Sequence, residues 1–150
     1  MAYYMYISLQ EEDRIAIYTM TPKTGKLKHQ GDVALKGRPA PIAIDPEHKF
    51  LFAGQRKADN YGMASFKVDR KTGSLVPIGS IPLNGDPVHI STDKTGNFLL
   101  SAYYYQKTVA VHKIADDGSL ADPPVVWLET DIGAHYIQTC LLYTSDAADE

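Results

Sequence analysis

The chain has 150 residues, 44% hydrophobic and 22% charged, which suits one globular domain with a real core and excludes a disordered segment. No apolar run approaches the roughly 20 residues of a membrane-spanning helix. The net charge of −3 speaks against a nucleic-acid partner, and a single cysteine, Cys140, excludes a disulfide framework or a Cys-rich zinc site.

Met1-Ala2-Tyr3-Tyr4-Met5-Tyr6 lacks the basic start and apolar core of a secretory signal, so a cytoplasmic protein is expected. Strand-like runs follow near 3–9, 14–20 and 27–36. Ile42-Ala43-Ile44, Phe50-Leu51-Phe52 and Met63 to Val68 come next, and Val109 to Ile114 lies further on. All are short, β-prone and partly alternating. Asp45-Pro46, Arg70-Lys71-Thr72-Gly73, Lys94-Thr95-Gly96-Asn97 and Asp116-Asp117-Gly118 separate them as turns. No stretch carries a capped apolar stripe of helical period.

A repeat organises these runs. Thr24-Gly25-Lys26-Leu27 returns as Thr72-Gly73-Ser74-Leu75 and as Asp117-Gly118-Ser119-Leu120. The step from Thr24 to Thr72 also superposes Gly37-Arg38-Pro39 on Gly85-Asp86-Pro87, Asp45 on Asp93, and Phe50-Leu51 on Phe98-Leu99. Four short strands in a unit of about 45 residues is the pattern of a β-propeller blade. The phasing predicts an all-β fold of 12 strands in about three blades. An incomplete blade spans 3–36, full blades span 40–83 and 87–129, and a lone inner strand spans 134–139. The remaining blades of the ring are expected as partners of this arc, because a closed propeller leaves no open strand edge.

Residues 140–150 break the pattern. They read as a transposase sequencing adaptor translated in one frame, and a non-native tail is expected there; the alternative is a genuine acidic C-terminal tail. The tail holds Asp146, Asp149 and Glu150, three of the 18 acidic residues, so the arc before it balances its 15 basic ones.

In a four-strand antiparallel blade, the loops before the inner strand and after the second strand meet on one rim of the channel. That rule selects Arg38, His89 and His135 near inner-strand starts, and Arg56 with Tyr103-Tyr104-Tyr105 after second strands. Histidines, an arginine and tyrosines at a channel mouth can bind and polarise an oxyanion or a phosphate-bearing substrate. His89 equally suits a structural role, its ring bonding the backbone of a neighbouring blade, and His135 shares that ambiguity. Loop arginines are often merely solvated. No phosphate-binding loop, Gly-x-Ser-x-Gly elbow or His-Glu-x-x-His pair occurs, and the histidines lack metal-ligand spacing, which leaves open a metal site assembled across blades.

Pro87-Val88-His89-Ile90-Ser91-Thr92-Asp93, then Gly96-Asn97-Phe98-Leu99-Leu100, Tyr104 and Val109-Ala110-Val111 resemble the 6-phosphogluconolactonases of the seven-bladed propeller type. The fungal carboxymuconate cyclases are relatives of that family. Phe52-Ala53-Gly54-Gln55-Arg56 resembles the family's strand-end arginine, and Gly133-Ala134-His135 its Gly-x-His segment. The resemblance covers 3–139. It implies a seven-bladed ring that hydrolyses 6-phosphogluconolactone to 6-phosphogluconate in the pentose phosphate pathway. It also implies His135 or His89 as the base, Arg56 as the anion partner, and Tyr104 and Arg38 against a small phosphorylated sugar lactone, with no metal or organic cofactor required. Lys107 departs from the pattern, standing where the family commonly has glycine.

Two other functions fit the same ring: a muconate-type cyclase that forms or opens lactones, and a non-catalytic interaction scaffold. With open strand edges and a partial channel mouth, this arc alone is expected to be a poor enzyme.

Overall fold

Alternating apolar and polar positions build eleven strands among residues 3–140, the part of the chain that the computed structural model describes. β1 (Tyr3–Leu9), β2 (Arg14–Met20) and β3 (Leu27–Ala34) form one antiparallel sheet. β4 (Pro39–Ile44), β5 (Phe50–Gln55), β6 (Gly62–Val68) and β7 (Leu75–Pro82) form the second, in sequence order. β8 (Pro87–Thr92), β9 (Phe98–Tyr103), β10 (Thr108–Lys113) and β11 (Val126–Glu129) repeat it as the third. The all-β partial propeller stands.

Aspartates close equivalent hairpins, which explains their match across the repeat. The Asp45 carboxylate accepts from the amides of Lys49 and Phe50, both at 2.6 Å, between β4 and β5. Asp93 accepts from Thr95 at 3.0 Å and from Phe98 at 2.8 Å, between β8 and β9. A short side-chain acceptor at the head of the turn satisfies amides that the ladder leaves over.

The sheets stack face to face, and β5 shows how. Leu51 and Ala53 face the first sheet and pack with Ile15, Ile17, Phe66 and Leu75. Phe52, one residue out of phase, faces the third sheet with Met63, Ile90, Leu99, Ile114 and Leu120. Period-two alternation on a strand buried on both sides thus supplies both inter-blade cores. Each large side chain so buried contributes about 1.5–3 kcal/mol.

The described residues hold eleven strands rather than twelve. Residues 134–139, expected as a lone inner strand, form no ladder. A strand needs a backbone partner, and here the segment is held by β8 side chains instead. Ser91 Oγ donates to the Ile137 carbonyl at 2.7 Å, and the Ile137 amide donates to His89 Nδ1 at 3.4 Å. Of the suspected tail, all but Cys140 lies outside the described residues.

Candidate active site at a blade junction

The loops before β4 and β8 and those after β1, β5 and β9 come together at one end of the sheets. Behind β5, the Arg56 amide donates to the carbonyls of Gly37 at 2.7 Å and Arg38 at 3.2 Å. Ahead of β8, the Asp86 amide donates to Gln106 Oε1 at 3.2 Å. These bonds tie each second-strand end to the start of an inner strand.

Charged clasps then link one blade to the next. Arg38, ahead of β4, pairs with Glu11 in the loop after β1. Asp86, ahead of β8, pairs bidentately with Arg56, at 2.6 Å to Nε and 2.7 Å to Nη2. Arg38 and Asp86 occupy the same place in the repeat, so the clasp recurs with its polarity reversed. The Arg38–Glu11 pair is exposed and contributes little. The Arg56–Asp86 pair is better covered, with Asp86 only 14% exposed. The Asp86 hydrogen bond raises the guanidinium pKa above its ordinary value.

The same step along the repeat brings Gly133-Ala134-His135 to the next junction. Ala134 carries no charge, so this junction has no clasp. A cleft of about 280 Å³ opens here, lined by Arg56, Val88, Tyr104, Tyr105 and His135. The His135 ring stands edge-on to Tyr104, with ring centres 6.0 Å apart at 87°. It makes no hydrogen bond among the described residues. His89 lies behind it, stacked on Tyr136 with ring centres 4.1 Å apart. Burial, and then the neighbouring His135, push the His89 pKa below its ordinary value.

The structure therefore gathers Arg56, Tyr104 and His135 on one cleft and puts His89 beside it. Arg38 is not among the lining residues; its side chain is taken up by Glu11. His89 meets the backbone at Ile137, so the structural role open to it in the sequence is realised alongside any chemical one. Sequence reasoning missed Asp86 as the partner of Arg56. The signal was present: an acidic residue in the repeat position that holds Arg38. A larger groove of about 470 Å³ runs along Tyr3, Tyr4, Tyr6, Ile44, His48, Val68 and Arg70, beside β1. It gathers one histidine and one arginine but none of the groups named above.

Comparison with known proteins bears on the family and the fold. The chain is 30% identical over 131 residues to a 6-phosphogluconolactonase of Blochmanniella pennsylvanica, covering 87% of this chain and 38% of that protein. It is 36% identical over 50 residues to a 6-phosphogluconolactonase of Klebsiella pneumoniae, covering 33% of this chain and 15% of that one. Among solved structures, a periplasmic gluconolactonase of Pseudomonas aeruginosa matches with a TM-score of 0.73 and 26% identity, over 85% of this chain and 39% of that one. A Bacteroides fragilis structure matches with a TM-score of 0.77 at 21% identity, over 86% of this chain and 36% of that one, and shows the fold alone. The chain thus spans well under half the length of the relatives it matches. The family model for the lactonase seven-bladed β-propeller matches residues 3–139, and the chain belongs to that family.

Proposed function

We propose that the ring to which this arc belongs hydrolyses a sugar lactone, with 6-phosphogluconolactone opening to 6-phosphogluconate as its reaction in the cytoplasmic pentose phosphate pathway. The observation that carries the reading is the meeting of His135, Tyr104 and Arg56 on one cleft, at the junction where the charged clasp is absent. The relatives named 6-phosphogluconolactonase and gluconolactonase support the lactone class.

In this reading His135 takes a proton from water, and the water oxygen attacks the lactone carbonyl. The tetrahedral oxyanion collapses, the bond from carbonyl carbon to ring oxygen breaks, and the proton passes to the leaving hydroxyl. Lactone plus water gives the hydroxy acid, with no redox step. His135 is favoured over His89 as the base because its ring makes no hydrogen bond among the described residues. His89 spends Nδ1 on the Ile137 amide, which places its one ring proton on Nε2 in the neutral form. Arg56 keeps its outer Nη1–Nη2 edge for the oxyanion, since Asp86 takes Nε and only one of the two Nη2 protons. Tyr104 orients the sugar hydroxyls.

A pH-stat assay of the intact protein against glucono-δ-lactone, 6-phosphogluconolactone and a muconate-type lactone tests the reading. Acid release from the sugar lactones above the spontaneous rate is expected. Turnover of the muconate-type lactone alone would move the protein to the cyclase class, and no turnover of any would favour a scaffold.

A further inference from the structure

Arg56 borders the cleft as a guanidinium that has already been matched. Asp86 takes Nε and Nη2 in the two-pronged geometry that a phosphate would otherwise use. The carboxylate is itself mostly covered and lies within hydrogen-bond distance, so its charge acts on anything approaching Arg56 from the cleft. A dianion placed against Arg56 would meet an attraction weakened by the Asp86 carboxylate beside it. It would also find only the outer Nη1–Nη2 edge, since Asp86 already holds Nε and one of the two Nη2 protons. Among the described residues no lysine and no second arginine lines the cleft; the other lining residues are Val88, Tyr104, Tyr105 and His135. Aromatic faces, phenol hydroxyls and an imidazole suit the uncharged, hydroxyl-bearing body of a sugar ring.

The repeat argues in the same direction. At this place in the preceding unit stands Arg38, whose basic group is turned to Glu11. Reversing the polarity at Asp86 puts the acid on the inner-strand side and the base on the loop side, so the arginine faces the cleft with its charge partly offset.

We propose that Asp86 sets the ligand class of this cleft. By occupying Arg56 it makes the cleft a site for the uncharged lactone ring and excludes a phosphate dianion from it. This rests on the lactonase reading of the same cleft. It adds that the phosphate of a 6-phosphorylated substrate, carried on the exocyclic carbon, is held outside the residues lining this cleft. Asp86 acts through Arg56 and is a selectivity residue rather than a catalytic one.

The test is equilibrium dialysis of the full 150-residue chain at fixed ionic strength, with two probes: inorganic phosphate and glucono-δ-lactam, a hydrolysis-resistant neutral mimic of the lactone. Wild type, Asp86→Asn and the double variant Arg56→Gln/Asp86→Asn are compared. Wild type is expected to bind the lactam and to bind phosphate at least tenfold more weakly. Asp86→Asn, nearly isosteric but uncharged, is expected to gain at least tenfold in phosphate affinity, and the double variant to lose that gain. Merely structural damage at Asp86 would not create phosphate binding that depends on Arg56. Equal phosphate affinity in wild type and Asp86→Asn, or a gain that survives in the double variant, overturns the proposal. If Asp86→Asn fails to fold, wild type decides alone, and tighter binding of phosphate than of lactam overturns it. Loss of lactam binding in all three proteins, with the phosphate pattern intact, overturns the lactone reading and leaves the control of Arg56 by Asp86 standing.

Discussion

Lys107 holds φ at 54° just before β10, where the family commonly places glycine. An L-residue in the left-handed region costs about 1–2 kcal/mol in backbone sterics, partly offset by the entropy a glycine would lose on folding. The loop thus keeps a glycine-like conformation without the glycine, and the Lys107 carbonyl still accepts from the Thr130 amide at 2.7 Å. Lys107→Gly is expected to raise stability by about 0.5–1 kcal/mol, seen as a higher urea midpoint at unchanged slope. A lower midpoint would mean that the lysine side chain stabilises the loop. His89 gives a second expectation at this scale. Its pKa is depressed in the folded state, so the unfolded chain binds the proton more readily. Stability from this group is full above the unfolded value, about 6.5, and is lost as pH falls through it and below the folded value. Urea midpoints measured from about pH 8 down to about pH 5 should fall less steeply in His89→Gln than in wild type. Parallel curves would remove His89 from the acid response.

The three Thr/Asp-Gly-x-Leu turns look equivalent in sequence and are not equivalent in structure. Gly25, Gly73 and Gly118 all have positive φ, at 68°, 71° and 85°, which is why glycine recurs there. A Cβ on Gly25 would meet nothing within 4 Å, whereas on Gly73 it would fall 2.3 Å from the Tyr4 ring. That ring is pinned over the turn, with Tyr4 Oη donating to the Lys71 carbonyl at 2.7 Å and Tyr6 Oη to the Gly73 carbonyl at 2.8 Å. The half-buried Tyr6 phenol is pushed up to about 12, first by desolvation and then by Tyr4 and Asp69. Gly25→Ala should cost the backbone term alone, about 1–2 kcal/mol. Gly73→Ala should cost a further 1–3 kcal/mol or so from overpacking. Equal losses in thermal unfolding would refute the difference. The turns were legible because their chemistry is local: glycine and aspartate must recur wherever the same turn recurs. The ring above Gly73 is that of Tyr4 on β1, far away in sequence, and no pattern within the turn announces it. Residues 134–139 illustrate the opposite case. Their sequence matches an inner strand, yet a strand exists only through a partner.

At the scale of the whole molecule, the arc buries two inter-blade cores and leaves its outer faces open. Val126, Trp127 and Leu128 on β11 are all at least 40% exposed, and β1 is paired on one edge only. The propeller was readable because it is a repeat: one matched offset fixed the strands, the turns and the rim. The rim rule then placed Arg56, Tyr104 and His135 together without knowledge of their contacts. The rule could not supply charge pairing across a blade boundary, so Arg56 was expected free and is found matched by Asp86. It also could not distinguish the two histidines. They part company only through Ile137, whose amide claims His89 and leaves His135 open to the cleft.

The central claim is that His135 is the base of a lactone hydrolase. It is tested most directly by comparing kcat and KM for 6-phosphogluconolactone in the intact protein and in His135→Ala, with folding checked by circular dichroism. Loss of a general base predicts a fall in kcat of about 10²–10⁴-fold, with KM little changed and the fold intact. A folded His135→Ala protein that keeps wild-type kcat would contradict the account.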